Sequence, residues 1–279
     1  MDARLVRAYL EALPDIPPDA RAVERARWCL ASLHRPDIRY LVATVVGPGA
    51  PAVASVAAAI LRAAGAPTAV LGRTLAATTV DGTPLDDGLI GKAGTLAAES
   101  GYQLRETRAE LGEVTRREGI VTLALVAFAE ASQRVALLVD EDVRPRDPVH
   151  AVAADLAVIG NVDDAGVDAA LSLVPEGRPA VVAELEGVAR ERAVARAERA
   201  GTPMLLGGRD HRVEDRSGRL AFIVRGEPYV AFDPPPGYAA RDLATGIAAA
   251  LALGVMGIRM REDWVIAGLA SLGQPAAVT

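Results

Sequence analysis

Apolar and polar positions follow two patterns along this chain, and the switches between them mark out its elements. Short runs of Val, Leu, Ile and Ala predict buried strands near 39–46, 67–71, 135–139, 156–160, 179–183 and 203–206. The longer amphipathic or alanine-rich segments between and after them predict helices near 52–64, 88–100, 115–131, 186–200, 239–254 and 261–270. Two further amphipathic stretches, 3–13 and 20–33, bracket a proline-rich turn at 14–18. Strands alternating with helices predict an α/β fold, a mostly parallel sheet with helices on both faces. The runs 219–225 and 227–232 predict a small appended β hairpin that turns at Gly226. On this pattern an N-terminal helical segment, 1–38, packs on a single α/β domain, 39–279.

The first strand leads into Gly47-Pro48-Gly49-Ala50-Pro51 and then into a helix stopped by Gly65. A strand, a glycine-bearing turn and a helix aim backbone N–H groups and the positive end of a helix dipole at a phosphate. Gly47 and Gly49 are therefore candidate phosphate-loop residues, although the turn alone would also require glycine. A nucleotide triphosphatase further needs a lysine on the outer phosphates and a hydroxyl on Mg²⁺. Ala50, Pro51, Ala52 and Val53 supply neither, and Pro51 has no N–H to give.

Other candidates are fewer. No metal site is expected, and if a cation binds at all, Asp140, Glu141 and Asp142 at the end of a central strand are its ligands. A solvated acidic turn is the alternative there. Asp163 and Asp164 end the neighbouring strand, with helix capping as the plain role for Asp164. His34, His150 and His211 lack metal-ligand spacing and read as surface or structural residues. Arg209 and Asp210 read as a local ion pair.

Composition narrows the classes. Apolar residues make up 51% of the 279 but aromatics only 4%, so Ala, Val and Leu must fill the core. A formal charge of −6 offers no footprint for nucleic acid or for anionic membranes. The lone Cys29 excludes an internal disulfide and a thiolate cluster, and a buried position is expected for it. Asp2, Arg4 and Arg7 argue against a signal peptide, and the longest apolar run, 243–258, falls short of the roughly 20 residues of a membrane span. A cytoplasmic location is expected.

A family resemblance adds to these readings. The stretch 42–65 resembles the start of the folylpolyglutamate synthases of the Mur-ligase superfamily, and Ala58-Ala59-Ile60-Leu61-Arg62-Ala63-Ala64-Gly65 reproduces their helix ending. Val80-Asp81-Gly82-Thr83-Pro84, Phe128-Ala129-Glu130-Ala131, 156–162, Gly208-Arg209-Asp210-His211 and Pro236-Gly237 are similar to later family motifs in the same order. The resemblance covers residues 20–272 and implies a central ATPase-type domain acting on MgATP. It also implies what has changed. The family's lysine falls on Ala50 and its Ser-Thr pair on Ala52 and Val53. Its folate-contacting loop falls near 72–77, without the Ser-Pro-His motif. Its Mg²⁺-ligating glutamate falls on Val139, or on Asp140 with a one-residue slip. The motif after the 156–160 strand becomes Asp163-Asp164-Ala165, and the segment with the family's second lysine and metal-binding histidine is missing before Pro175. A cluster near the last long helix becomes Tyr238-Ala239-Ala240-Arg241-Asp242. Near Gly273-Gln274-Pro275 family members cross a linker into a second domain.

Three functional expectations follow. The first is a pseudoenzyme with a binding or assembly role, needing no cofactor and forming a homodimer or a heteromer with another protein. The second is an ATP-dependent amide ligase with a rebuilt or shared site, using ATP and Mg²⁺. The third is a module that holds an anion or small molecule on Gly47 and Gly49 without turning it over.

Overall fold

The computed structural model describes residues 1–200 and 203–272. In chain order the first half forms α1 (Ala3–Ala12), α2 (Ala22–Ser32), β1 (Leu41–Val46), α3 (Ala50–Ala63), β2 (Thr68–Leu71), β3 (Thr79–Val80), β4 (Thr83–Pro84), α4 (Asp87–Thr107), α5 (Arg116–Glu130) and β5 (Val135–Asp140). The second half forms β6 (Leu156–Ile159), α6 (Val167–Ser172), β7 (Ala180–Val182), α7 (Gly187–Ala200), β8 (Met204–Leu206), β9 (His211–Arg216), β10 (Arg219–Val224), β11 (Glu227–Phe232), α8 (Ala240–Val255) and α9 (Glu262–Ser271). Eight strands make one mostly parallel sheet in the order β4-β3-β2-β5-β1-β6-β7-β8, and only β3 and β4 join it antiparallel. Strands as apolar as β1 and β5 belong in such a sheet, where helices can cover both faces. The expected α/β class is observed. None of the described helices is long and apolar enough to cross a membrane.

The chain divides into two compact units. The first comprises Met1–Val42, Pro67–Asp140 and Arg144–Ala154. Its core is built on α5, in which every residue from Glu118 to Phe128 is buried, and on the facing sides of β2, β5, α1 and α4. Close helix packing stands in for bulky side chains: a Cβ on Gly94 of α4 would lie 2.2 Å from Val6 Cγ1 of α1. α5 opens with a capping box between Thr115 and Glu118. The buried Glu118 carboxylate also takes two bonds from Arg25 of α2, at 2.7 and 2.9 Å.

The second unit comprises Ala43–Ala66, Glu141–Val143 and Asp155–Thr279. Here the alanine-rich α3 packs against α8 and α9. A Cβ on Gly268 of α9 would lie 2.6 Å from the Ile60 Cα, and one on Gly246 of α8 would lie 2.6 Å from Val56. Small residues on these helices explain how a chain with few aromatics packs densely. The separate three-stranded sheet, β11-β10-β9, corrects the expected hairpin. β10 and β11 pair as the sequence predicts and turn at Gly226, whose φ is +86°. β9 adds a third strand that the apolar pattern could not reveal, because Val213 is the only aliphatic residue in His-Arg-Val-Glu-Asp-Arg. The expected linker at Gly273–Pro275 lies outside the described residues, as do Gly201 and Thr202.

Candidate functional site

The candidate phosphate loop lies wholly within the second unit. β1 and β6 run parallel with Val46 opposite Ile159, and the Gly160 N–H donates to the Val46 carbonyl at 2.7 Å. Their carboxyl ends therefore lie side by side, where open α/β sheets bind ligands. Gly47 is buried with φ +112°, and a Cβ there would lie 3.2 Å from Val162 Cγ1 on the loop after β6. That position needs glycine for backbone reasons. Gly49 does not: its φ of −86° suits any residue, and it serves as the N-cap of α3 with no side chain to offer.

The donor count at this turn is poor for an anion. Pro48 and Pro51 have no N–H, and the Ala50 N–H is spent on the Gly47 carbonyl at 2.9 Å. The Val53 N–H closes the first helical bond, to the Gly49 carbonyl at 3.1 Å. Ala50 is fully buried, so its side chain opens into no cavity that a longer basic residue could use.

A carboxylate meets the same place. Asp242, in the first turn of α8, holds Oδ1 2.8 Å from where a Cβ on Gly49 would sit. Burial raises the Asp242 carboxyl above its ordinary value, with the Arg241 charge opposing. A phosphate seated on Gly49 would face this group, a repulsion of about 4 kcal/mol per unit charge at about 4 Å for a near-surface dielectric. Arg241 itself lies over the loop after β6, and with the Asn161 amide turned so that its oxygen faces the guanidinium, two guanidinium nitrogens donate to that oxygen at 3.2 Å each. In sequence Asp242 stands only in the cluster 238–242, and nothing local links it to a glycine so far up the chain. Residues 50–53 carry neither the lysine nor the side-chain hydroxyl with which a phosphate loop holds MgATP, so these side chains do not fit that cofactor.

The remaining candidates have other uses. Asp163 accepts from the Gly166 N–H at 2.8 Å, and Asp164 accepts from the Ala189 N–H at 2.7 Å in the first turn of α7. Asp164 is thus a capping residue, for α7 rather than for the short α6 that follows it. Arg209 and Asp210 do pair, at 2.8 Å, and Asp210 also receives the Leu206 N–H at 2.8 Å.

In the first unit, Asp140 corrects the expectation of a solvated turn. It is only 3% exposed, and its Oδ2 accepts from the Arg144 N–H at 2.8 Å and meets His150 Nε2 at 2.9 Å. A buried carboxylate needs such partners. His150 reaches it through the Pro148–Ala151 3-10 turn, itself capped by Asp147, and no sequence spacing announces that pairing. Glu141 is half-buried and Asp142 exposed, and among the described residues no group of three or more His, Cys, Asp or Glu could hold a metal ion. The loop expected near 72–77 folds on itself: a Cβ on Gly72 would lie 2.5 Å from the Ala77 carbonyl. Arg117 holds it there through the Gly72 and Arg73 carbonyls, at 2.8 and 3.0 Å.

No protein-family model and no curated protein matches the sequence. Solved structures do match. The apo form of the Lactobacillus casei folylpolyglutamate synthase superposes with a TM-score of 0.85 at 18% identity, over 100% of this chain and 74% of the other. A folylpolyglutamate synthase complex with AMPPCP and folate gives 0.84 at 18% identity, over 100% and 73%. The Mycobacterium tuberculosis folylpolyglutamate synthase complexed with ADP gives 0.80 at 17%, over 99% and 67%. The chain has the fold of the folylpolyglutamate synthases of the Mur-ligase superfamily, matching their N-terminal domain.

Proposed function

We propose that this chain is a non-catalytic, folylpolyglutamate-synthase-like domain that serves in binding or assembly and transfers no phosphoryl group. The observation that carries this reading is the start of α3, where Asp242 stands against Gly49 and where Pro48, Ala50 and Pro51 remove or occupy the donors. Phosphoryl transfer is catalysed almost wholly by positioning and electrostatics, so a turn with a carboxylate and no lysine has lost the means of catalysis. Structural neighbours are complexed with AMPPCP or ADP, and the Asp242 carboxylate against Gly49 supports the reading that the present chain does not share that use. No cofactor is needed by the proposed role. Assembly would use the helices after Gly237, α8 and α9, which carry the exposed apolar Val255 and Ile266. A homodimer or a heteromer with another protein would cover them.

The second reading, an ATP-dependent ligase with a rebuilt site, has one observation in its favour: the Arg241 guanidinium is a cation beside the loop. Release of inorganic phosphate from MgATP, with folate and glutamate supplied, separates the two. The pseudoenzyme reading predicts no release above a protein-free control. Turnover that vanishes in Arg241→Ala would establish the rebuilt ligase instead.

A further inference from the structure

His211 begins β9 and is 1% exposed. Its Nε2 lies 3.2 Å from the Val182 carbonyl of β7, and its ring stacks on Phe222 of β10. Around it the backbone is laced to the end of the parallel sheet. The Gly207 N–H donates to Val182 at 2.8 Å, the Gly208 N–H donates to the His211 carbonyl at 2.9 Å, and Gly207 and His211 form a bridge. The imidazole therefore ties β9 to β7, beside the backbone bonds of Gly207 and Gly208. A carbonyl partner fixes the neutral tautomer, with the proton on Nε2. Nδ1 is buried and makes no hydrogen bond. A second proton would place a charge in a buried site whose Val182 and Leu205 carbonyls do not offset the burial.

We propose that His211 is a proton-sensitive clasp, and that acid releases β9, with the sheet it leads, from the β7–β8 edge of the parallel sheet. The charged groups around it are few. Asp210 is adjacent and already bound to Arg209 and the Leu206 N–H. Glu184 lies against Gly208, Arg212 pairs with Glu214, and the Arg225 N–H donates to the Asp210 carbonyl. α8, which packs on β9, brings Arg241 and Asp242 in its first turn. Burial holds the ring below its ordinary value; the Val182 and Leu205 carbonyls and the Asp210 charge oppose it and do not prevail. The folded value being the lower one, the clasp is at full strength above the ordinary histidine value of about 6.5. It weakens as pH falls from there toward the folded value, because the opened ring takes up the proton.

Hydrogen exchange, corrected for intrinsic rates, tests the clasp on the whole chain between about pH 7.5 and 5. Protection of the Gly207, Gly208 and β9 amides should fall by up to about tenfold per pH unit below about 6.5, while β5 amides stay unchanged. His211→Gln keeps a donor for Val182 but cannot take a proton, and its protection should be flat with pH. Flat protection in the unaltered chain, or the same acid loss in His211→Gln, would overturn the proposal. If the variant fails to fold, imidazole resonances of the three histidines decide. His211 should titrate only together with the loss of native β9 signals, and a His211 titration at the ordinary value with β9 intact would refute the clasp.

Discussion

Alanine at Gly47 and alanine at Gly49 should have different consequences, although the two glycines look alike in sequence. At Gly47 the φ of +112° is a conformation that a side chain strains, at about 1–3 kcal/mol, and the new Cβ must also press on Val162 Cγ1 at 3.2 Å. At Gly49 the backbone is ordinary, with φ −86°. There the new Cβ meets only the tip of Asp242, 2.8 Å away, and swinging a side chain off its rotamer costs about 0.5–1.5 kcal/mol. That cost is offset by about 0.4–1 kcal/mol, because alanine narrows the unfolded ensemble. Gly47→Ala should therefore destabilise by about 2 kcal/mol and Gly49→Ala by less than about 1 kcal/mol. Urea unfolding with unchanged slope reads this as a midpoint shift of about 1 M for Gly47→Ala and less than about 0.5 M for Gly49→Ala, for a slope of about 2 kcal/mol/M. Equal losses at the two positions would refute the reasoning, since Asp242 would then have to be locked rather than free to turn. A neutral Gly47→Ala would show that the turn does not depend on its left-handed backbone.

Two further outcomes follow from the first unit. Arg25→Ala strands the fully buried Glu118 carboxylate and should cost about 3–5 kcal/mol, whereas Arg25→Met with Glu118→Leu should cost less because no orphan charge remains. A double-mutant cycle in urea reads the difference, and additive losses would contradict it. Burial pushes the Cys29 thiol up to about 11, against a hydrogen bond from Ser100 that favours the thiolate. An aromatic disulfide reagent near pH 8 should therefore label the native chain only as it unfolds. Labelling at the rate of a free thiol would place Cys29 outside the core.

Much of the fold is written locally, and the particular misses show what is not. The six expected parallel strands are all present, because each is a short apolar run that only a covered sheet can bury. α4 runs to Thr107, past the expected end near residue 100 and through Gly101. Tertiary packing decides otherwise: a Cβ on Gly101 would lie 3.0 Å from the Tyr9 hydroxyl, so the glycine serves the α1–α4 approach and not a cap. β9 was hidden because its stability comes from ladder bonds to β10 and a single buried imidazole. The site divides the same way. That neither lysine nor hydroxyl stands at residues 50–53 can be read from the chain alone. The approach of Asp242 to Gly49 and the pairing of His150 with Asp140 are tertiary meetings that no local pattern encodes.

The central claim is that the turn before α3 no longer holds a nucleotide, and calorimetric titration with MgATP tests it most directly. No binding tighter than about 100 µM is predicted, with or without Mg²⁺. The triple variant Ala50→Lys, Pro51→Gly, Ala52→Ser, titrated alongside, should gain affinity only at a cost in stability, since Ala50 is fully buried. Micromolar binding by the unaltered chain that disappears on chelation of Mg²⁺ would contradict the account.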